Sequence, residues 1–298
     1  MKDIVMNSLK WVVLGKIIAQ TVRWSMTILT LKFLFPEDYA VIGLSSFFTS
    51  LLWSFSKNGI ATAIIREANV TESLMREFFT LAIVAHTAFF LLLQIIAPYL
   101  SDLYGDPRLE DVVRVSSLTF LISLIGYVPA VTMNKEMNFK RLTIVDTIAD
   151  SVGAVSTVLM AWQGLGYWSI ILGIVAMELV RQIGYLIRAQ RWVWPGKFSS
   201  DIKPILNFSW KSASQATVAY SIFNLDVAVA GLFLSTTDLG FYQFAVVLAM
   251  MPAAKALPVL RQVALPTYSK IQNDAGQVEY YFLKSQRISS LLFVPVFW

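Results

Sequence analysis

The sequence contains no cysteine and a single histidine, His86, among its 298 residues. Without thiols the chain has no disulfide framework and no zinc or iron–sulfur site built on thiolates. One histidine cannot assemble a metal site alone, and we expect His86 to be a hydrogen-bonded interior residue. No GxxxxGK[ST], HExxH or GxSxG pattern occurs, so the sequence indicates neither ATP hydrolysis nor these hydrolase chemistries. We therefore predict no cofactor and no enzymatic activity.

Charged residues are also scarce. They make up 14% of the chain, against about 25% in a typical soluble domain, and the mean hydropathy is +0.62. The charges separate apolar runs of about 20 residues or more, the length that crosses a bilayer core. Runs of this length fit helices and are too long for the strands of a closed barrel. Since a helix makes all of its backbone hydrogen bonds internally in lipid, we predict an all-α integral membrane protein. The complete runs are eight, at about 10–34, 39–63, 77–100, 112–133, 142–162, 167–189, 205–234 and 239–261.

A ninth apolar run begins near Ile288 and reaches the last residue, Trp298, after only 11 residues. We therefore expect the sequence to stop inside a helix, after eight complete helices and part of a ninth. The first run carries Lys16 and Arg23, and no small-residue cleavage site follows it. It is thus expected to remain a membrane helix rather than to be a signal peptide.

The basic residues are distributed unevenly between the two predicted sides of the membrane. With the N-terminus inside, the inner segments hold fifteen Lys and Arg residues, and the outer segments hold only Lys32 and Arg108. Since Lys and Arg favour cytoplasmic loops, this predicts a cytoplasmic N-terminus. The net charge of +5 is then explained by topology, so we expect no nucleic-acid partner.

A weak internal repeat relates residues 200 positions apart. It pairs Asp38 with Asp238, and Phe33-Leu34 with Phe233-Leu234, in two helix–turn–helix segments. The shift skips six predicted spans, which preserves orientation and so predicts a parallel repeat about an axis along the membrane normal. In each segment the aspartate is expected to cap the helix that follows.

Polar side chains recur at helical spacing within six of the runs. Charge inside a membrane is costly, so such stripes face a bundle interior or a wet cavity. In the first run Lys16, Gln20 and Arg23 share one face, at i, i+4 and i+7. The excess of bases predicts a central cavity suited to an anionic phosphate or pyrophosphate head group. The bases are Lys16, Arg23, Lys57, Arg181, Lys211 and Lys255, and the acids are Asp146, Asp150, Glu178 and Asp226.

Several of the bases have a structural alternative. Lys57, Lys211 and Lys255 lie near the predicted cytoplasmic ends of their helices, where long stems can carry the charge to the head groups. Arg23 lies near the middle of its span on a continuous polar face, which favours a cavity role.

The acids have structural alternatives too. Glu178 and Arg181 are three residues apart on one helix and can neutralise each other. Asp146 and Asp150 can pair with basic groups on neighbouring helices. Asp226 lies eight residues inside the outer end of its helix, and an interior salt bridge and a functional role both remain open for it.

Residues 225–252 read LDVAVAGLFLSTTDLGFYQFAVVLAMMP and are followed by ALPTYSKIQND at 264–274. These are the most specific of several stretches that resemble the polysaccharide biosynthesis flippases of the multidrug/oligosaccharidyl-lipid/polysaccharide exporter superfamily. The resemblance covers about residues 9–287, nearly the whole chain. The matching stretches are 34–44, 58–79, 128–155, 164–171, 225–252 and 264–274.

The resemblance implies two bundles of six helices around a central cavity. The first lobe would be residues 1–190, followed by a cytoplasmic linker at 191–204 and an incomplete second lobe at 205–298. The implied activity is transfer of a polyprenyl-pyrophosphate-linked oligosaccharide across the bacterial inner membrane by alternating access, for O-antigen, capsule or exopolysaccharide synthesis. The implied partners are this lipid-linked substrate, membrane lipids and the polysaccharide assembly machinery.

Our hypothesis for the site divides the charged residues between two roles. The cationic, cargo-binding group is Arg23, Lys16, Lys57, Arg181, Lys211 and Lys255, with Gln20. Asp226, with Asp146 or Asp150, would take part in ion coupling or gating. Two other functions remain open: an ion-coupled multidrug or small-solute exporter of the same superfamily, and a membrane glycan polymerase or ligase.

Overall fold

A computed structural model of the chain describes residues 29–30, 32–67, 70–189, 193–198, 203–249 and 275–297. Every regular element within these ranges is a helix, which confirms the all-α class. The first elements are α1 (Pro36–Phe55), a π-helical segment (Ser56–Ala61), α2 (Thr62–Arg66), α3 (Glu72–Tyr104), α4 (Arg108–Ser123), α5 (Tyr127–Lys135), α6 (Phe139–Trp162), α7 (Trp168–Ile187) and α8 (Lys203–Phe233). Residues 236–249 are also helical and are called α9, and Ala275–Phe297 forms α10.

Five helices within the described ranges are long and apolar enough to cross a membrane, and the pair α4 and α5, bent by 58°, makes a sixth candidate. These six coincide with six of the eight predicted spans. Of the other two predictions, 10–34 lies largely outside the described residues, and 239–261 is described only as far as residue 249, where it is helical. The five are Pro36–Arg66, Glu72–Tyr104, Phe139–Trp162, Trp168–Ile187 and Ile205–Phe233.

Local sequence signals set several of the helix ends. Pro36 occupies the first turn of α1, where its missing N–H costs no hydrogen bond. Thr71 caps α3 by accepting the Leu74 N–H at 3.2 Å. Gly105 ends α3 with a φ of +65°, a left-handed conformation that a side chain disfavours. The short turns that result bring consecutive helices side by side.

Small residues allow α6 and α7 to pack closely. A Cβ added at Gly153 of α6 would lie 2.6 Å from the Met177 Cβ, and one at Gly184 of α7 would lie 2.7 Å from a Val145 methyl. In lipid, where water does not drive helices together, small residues let backbones approach and gain dispersion contacts. This pair of helices carries the charged cluster described below.

The long helix α8 packs mainly against α1 and the π-helical segment. A Cβ at Gly59 would come 2.6 Å from the Ala213 Cβ. Nearer the other end of α8, a Cβ at Gly231 would meet Tyr104 and Leu44. The predicted boundary between the lobes at residue 190 stays a prediction.

The chain divides into two compact units, residues 1–241 and 242–298. Within the second unit, α10 begins at Ala275, thirteen residues ahead of the ninth apolar run at Ile288. The polar residues 275–287 are therefore helical and continuous with that run.

Candidate functional site

The predicted site residues Arg181, Asp146 and Asp150 meet in one charged cluster between α6 and α7. The Arg181 guanidinium lies 2.8 Å from Asp150, 3.3 Å from Asp146 and 2.7 Å from Glu178. Its side chain is 22% exposed, and those of Asp150 and Glu178 are 16% and 10% exposed. The pairing alternative expected for these residues is therefore confirmed.

Two uncharged residues of α7 complete the cluster. Gln182 donates its amide N–H to Glu178 at 2.6 Å, and the Tyr185 hydroxyl donates to Asp146 at 2.6 Å. Neither residue was among the predicted site residues. Their spacing of four and seven residues from Glu178 was the signal that could have included them.

The cluster has more acid than base. Among the described residues, one guanidinium (+1) faces three carboxylates (−3), so these four side chains sum to a formal charge of −2 when all are ionised. Such a group attracts cations, and it leaves few Arg181 donors for an anionic cargo because the carboxylates already occupy them.

Two predicted cavity lysines lie on elements that touch each other. Lys57 belongs to the π-helical segment and Lys211 to α8, and both side chains are exposed. The contact between Gly59 and Ala213 brings these two elements together. Lys16, Gln20, Arg23 and Lys255 lie outside the described residues.

Asp226 is exposed on α8, beside the buried Val227 and Ala228. The Ala228 carbonyl accepts a hydrogen bond from the Tyr104 hydroxyl at 3.1 Å, which fixes this part of α8 against α3. Asp146 and Asp150 lie on α6, which packs against α7, whereas Asp226 lies on α8, which packs mainly against α1 and the π-helical segment. The three aspartates therefore do not share one helix interface.

His86 is fully buried in an aromatic cluster and has a partner at each ring nitrogen. Its Nδ1 lies 2.7 Å from the Ala82 carbonyl oxygen, which can only accept, so Nδ1 carries the hydrogen. Its Nε2 then accepts from the Ser56 hydroxyl at 3.0 Å. The interior histidine expected from the sequence is confirmed, but nothing in the sequence had paired it with Ser56, the first residue of the π-helical segment.

The two repeat-related turns contact each other. The Thr237 hydroxyl donates to Glu37 at 2.8 Å, and these two residues are 200 positions apart. A Cβ at Gly240 would overlap the Pro36 carbonyl oxygen. Such contact between equivalent positions is what a pseudo-twofold axis passing between the turns produces. The 200-residue repeat in the sequence indicated that Glu37 and Thr237 are equivalent. Neither residue was among the predicted site residues.

Asp38 and Asp238 occupy equivalent places in these turns. Asp38 accepts the Phe35 N–H at 3.0 Å at the start of α1. Ahead of α9, the Ser235 hydroxyl accepts the Asp238 N–H at 3.1 Å and donates to the Asp238 carboxylate at 2.6 Å. The capping role expected for Asp38 is confirmed by its bond to the Phe35 N–H. In the second turn the group that accepts a backbone N–H is Ser235, and Asp238 instead accepts from the Ser235 hydroxyl.

Comparison with known proteins decides the family. The profile of the polysaccharide biosynthesis protein family matches residues 28–298. The chain belongs to this family. The resemblance derived from the sequence is thereby confirmed, and the chain is a membrane protein of polysaccharide biosynthesis with transmembrane helices.

Curated relatives are similar at low identity. The succinoglycan biosynthesis transport protein ExoT of Rhizobium meliloti is 23% identical, over 98% of this chain and 59% of its own length. The lipopolysaccharide biosynthesis protein WzxC of Escherichia coli is 25% identical, over 91% of this chain and 55% of its own. The teichuronic acid biosynthesis protein TuaB of Bacillus subtilis is 22% identical, over 80% and 50% respectively.

The chain thus spans a little over half the length of the curated relatives it matches. The name of the first of them states transport rather than catalysis. No solved structure matches the chain significantly.

Proposed function

We propose that this protein moves a polyprenyl-pyrophosphate-linked oligosaccharide from the inner to the outer leaflet of the bacterial inner membrane. The observation that carries the proposal is the family match over residues 28–298 on a chain of membrane-length helices. It is supported by the names of the relatives, which concern the biosynthesis of succinoglycan, lipopolysaccharide and teichuronic acid. The protein acts as a transporter rather than as an enzyme.

The mechanism we propose is alternating access in two lobes of six helices, driven by an ion gradient. The N-terminus is cytoplasmic, since this orientation gives the inner segments their fifteen basic residues. The contact between Glu37 and Thr237 supports a parallel arrangement of the repeats, with their equivalent turns together at the outer end. Membrane lipids and the polysaccharide assembly machinery are the proposed partners.

The charged residues then divide by their surroundings. Lys57 and Lys211, exposed on adjoining elements, are proposed to meet the pyrophosphate together with Arg23, and Lys16, Gln20 and Lys255 would line the same cavity. Arg181 has its guanidinium occupied by carboxylates, so its proposed contribution to cargo binding is indirect. Asp146, Asp150 and Asp226 are proposed for ion coupling or gating.

A second candidate is export of small cationic solutes. The observation that favours it is the summed formal charge of −2 on Arg181 and its three described carboxylate partners, because negatively charged groups attract cations. It predicts that loss of the gene lowers efflux of a cationic dye and leaves surface polysaccharide unchanged.

The test is a clean deletion of the gene, with quantification of lipid-linked saccharide in sealed membrane vesicles of each orientation. A flippase defect accumulates the units on the cytoplasmic leaflet, whereas a polymerase or ligase defect leaves them on the outer face. Complementation with Arg23→Ala and Asp226→Asn variants, at matched expression, tests the two role assignments. Normal export by both variants would overturn these assignments and leave the flippase proposal to the deletion result.

A further inference from the structure

A cavity lies where three helix ends converge, at the end of the bundle that carries the basic loops. Glu136 follows the last residue of α5, Arg141 lies in the first turn of α6, and Arg188 follows the last residue of α7. Met133, which belongs to the small core with Val145 and Tyr185, lines the same cavity. The remaining lining residues are Pro129, Thr132 and Ala189.

The two arginines of this cavity differ from the other arginines described between residues 29 and 241. Arg76, Arg114 and Arg181 each pair with a carboxylate on their own helix, Arg108 pairs with Asp106 in the turn ahead of α4, and Arg66 stacks on the Phe208 ring. Within the described part of the chain, neither Arg141 nor Arg188 has an ion pair, a hydrogen bond or an aromatic partner of this kind.

The local charges also favour an anion in the cavity. Arg141 and Arg188 contribute +2 and Glu136 contributes −1, so the lining carries a formal charge of +1. The first turn of α6 holds Lys140 and Arg141 and no acidic residue. Basic residues there are repelled by the positive end of the helix dipole, and a bound anion would reduce this repulsion.

The alternative for Arg188 is a purely structural one. A cation at the C-terminus of a helix is favourable by itself, and that accounts for Arg188 at the end of α7. It does not account for Arg141 at the start of α6, nor for two arginines that line the same cavity.

We propose that Arg141 and Arg188 form a binding site for the phosphate group of a lipid, at the cytoplasmic end of α5, α6 and α7. Arginine binds phosphate oxygens through two parallel N–H donors, and basic pockets between membrane helices on the cytoplasmic side bind anionic head groups. The phosphate can belong to the pyrophosphate of the lipid-linked saccharide, met before it enters the transport path, or to an anionic phospholipid. The first source rests on the proposed function, and the second does not.

The test measures lipid binding by the purified full-length protein, with native mass spectrometry in detergent. The probes are farnesyl pyrophosphate and short-chain phosphatidylglycerol, with short-chain phosphatidylcholine as the zwitterionic control. The site variant is Arg141→Gln with Arg188→Gln. The matched control is Arg76→Gln, which removes an exposed guanidinium that pairs with Glu72 and does not line the cavity.

The site variant should bind at least one anionic probe at least tenfold more weakly than wild type, a change of about 1.4 kcal/mol. The control variant should bind like wild type, and phosphatidylcholine binding should not change. If only farnesyl pyrophosphate binding is lost, the phosphate is that of the cargo. If only phosphatidylglycerol binding is lost, it is that of a phospholipid. If binding of both probes is lost, the site recognises the phosphate group alone. Equal binding of both anionic probes by all three proteins overturns the proposal.

Two further features keep the test decisive. If the double variant does not fold, Arg141→Lys and Arg188→Lys are measured singly, because lysine keeps the charge but loses the two-pronged hydrogen bond. Unchanged binding by both also overturns an arginine-specific site. Because the readout is binding rather than transport, a protein that fails to flip lipid-linked saccharide can still pass or fail this test.

Discussion

Removing Arg181 should destabilise the protein, because its guanidinium is the shared partner of three carboxylates. In Arg181→Gln, Asp146, Asp150 and Glu178 would remain together without the cation that now lies 2.7–3.3 Å from each of them. Breaking a buried ion pair by deleting one partner costs about 3–5 kcal/mol. Arg181 is 22% exposed and Asp146 is 46% exposed, so solvent screens part of the effect, and we expect about 3 kcal/mol.

The matched control is Asp146→Asn. This change removes one of the excess negative charges, leaves Arg181 paired with Asp150 and Glu178, and keeps an oxygen that can accept from the Tyr185 hydroxyl. We expect its cost to be within about 1 kcal/mol, as for a partly exposed pair.

The assay for both variants is SDS-induced unfolding of the full-length protein in mixed micelles, followed by far-ultraviolet circular dichroism. The prediction is an asymmetry, in which Arg181→Gln loses far more unfolding free energy than Asp146→Asn. Equal losses for the two variants, or a loss below about 1 kcal/mol for Arg181→Gln, would refute the shared-partner reasoning.

The remaining predictions concern the packing of α6 on α7, the contact between the two repeat-related turns, and the two exposed lysines. Gly153→Leu should lower the unfolding free energy by about 1–3 kcal/mol, since even a Cβ there lies 2.6 Å from the Met177 Cβ; an unchanged SDS midpoint would contradict the close α6–α7 packing. Glu37→Cys with Thr237→Cys, in a background without other cysteines, should form a disulfide that blocks glycan export until it is reduced, because these residues touch; full export by the oxidised protein would show that this contact need not open. Lys57→Gln with Lys211→Gln should lower export severalfold at normal expression, and wild-type export would remove both lysines from the cargo-binding group.

The fold class was predictable because helix length and apolarity are local properties. The helices α3, α6 and α7 each begin and end within five residues of the bounds predicted from the sequence. The 58° bend between α4 and α5 and the π-helical segment at Ser56–Ala61 were not predictable, because both depend on what packs against the helix from elsewhere in the chain.

The candidate site was predictable only in part. The spacing of Asp146, Asp150, Glu178 and Arg181 placed them on helix faces, and the structure pairs them. Periodicity states which face a residue occupies, but not which helix that face meets. It therefore could not separate charged residues that pair with one another, as around Arg181, from a surface that is open to cargo.

The central claim, transport of a lipid-linked saccharide, is tested most directly with the purified full-length protein in liposomes. A fluorescent polyprenyl-pyrophosphate-linked oligosaccharide is placed in both leaflets, and its accessibility to a membrane-impermeant quencher is followed after an ion gradient is imposed. The account predicts that the protected fraction changes with time only in liposomes that contain the protein, and more slowly with Lys57→Gln and Lys211→Gln. A protected fraction that stays equal to that of protein-free liposomes, from correctly folded and oriented protein, would contradict it.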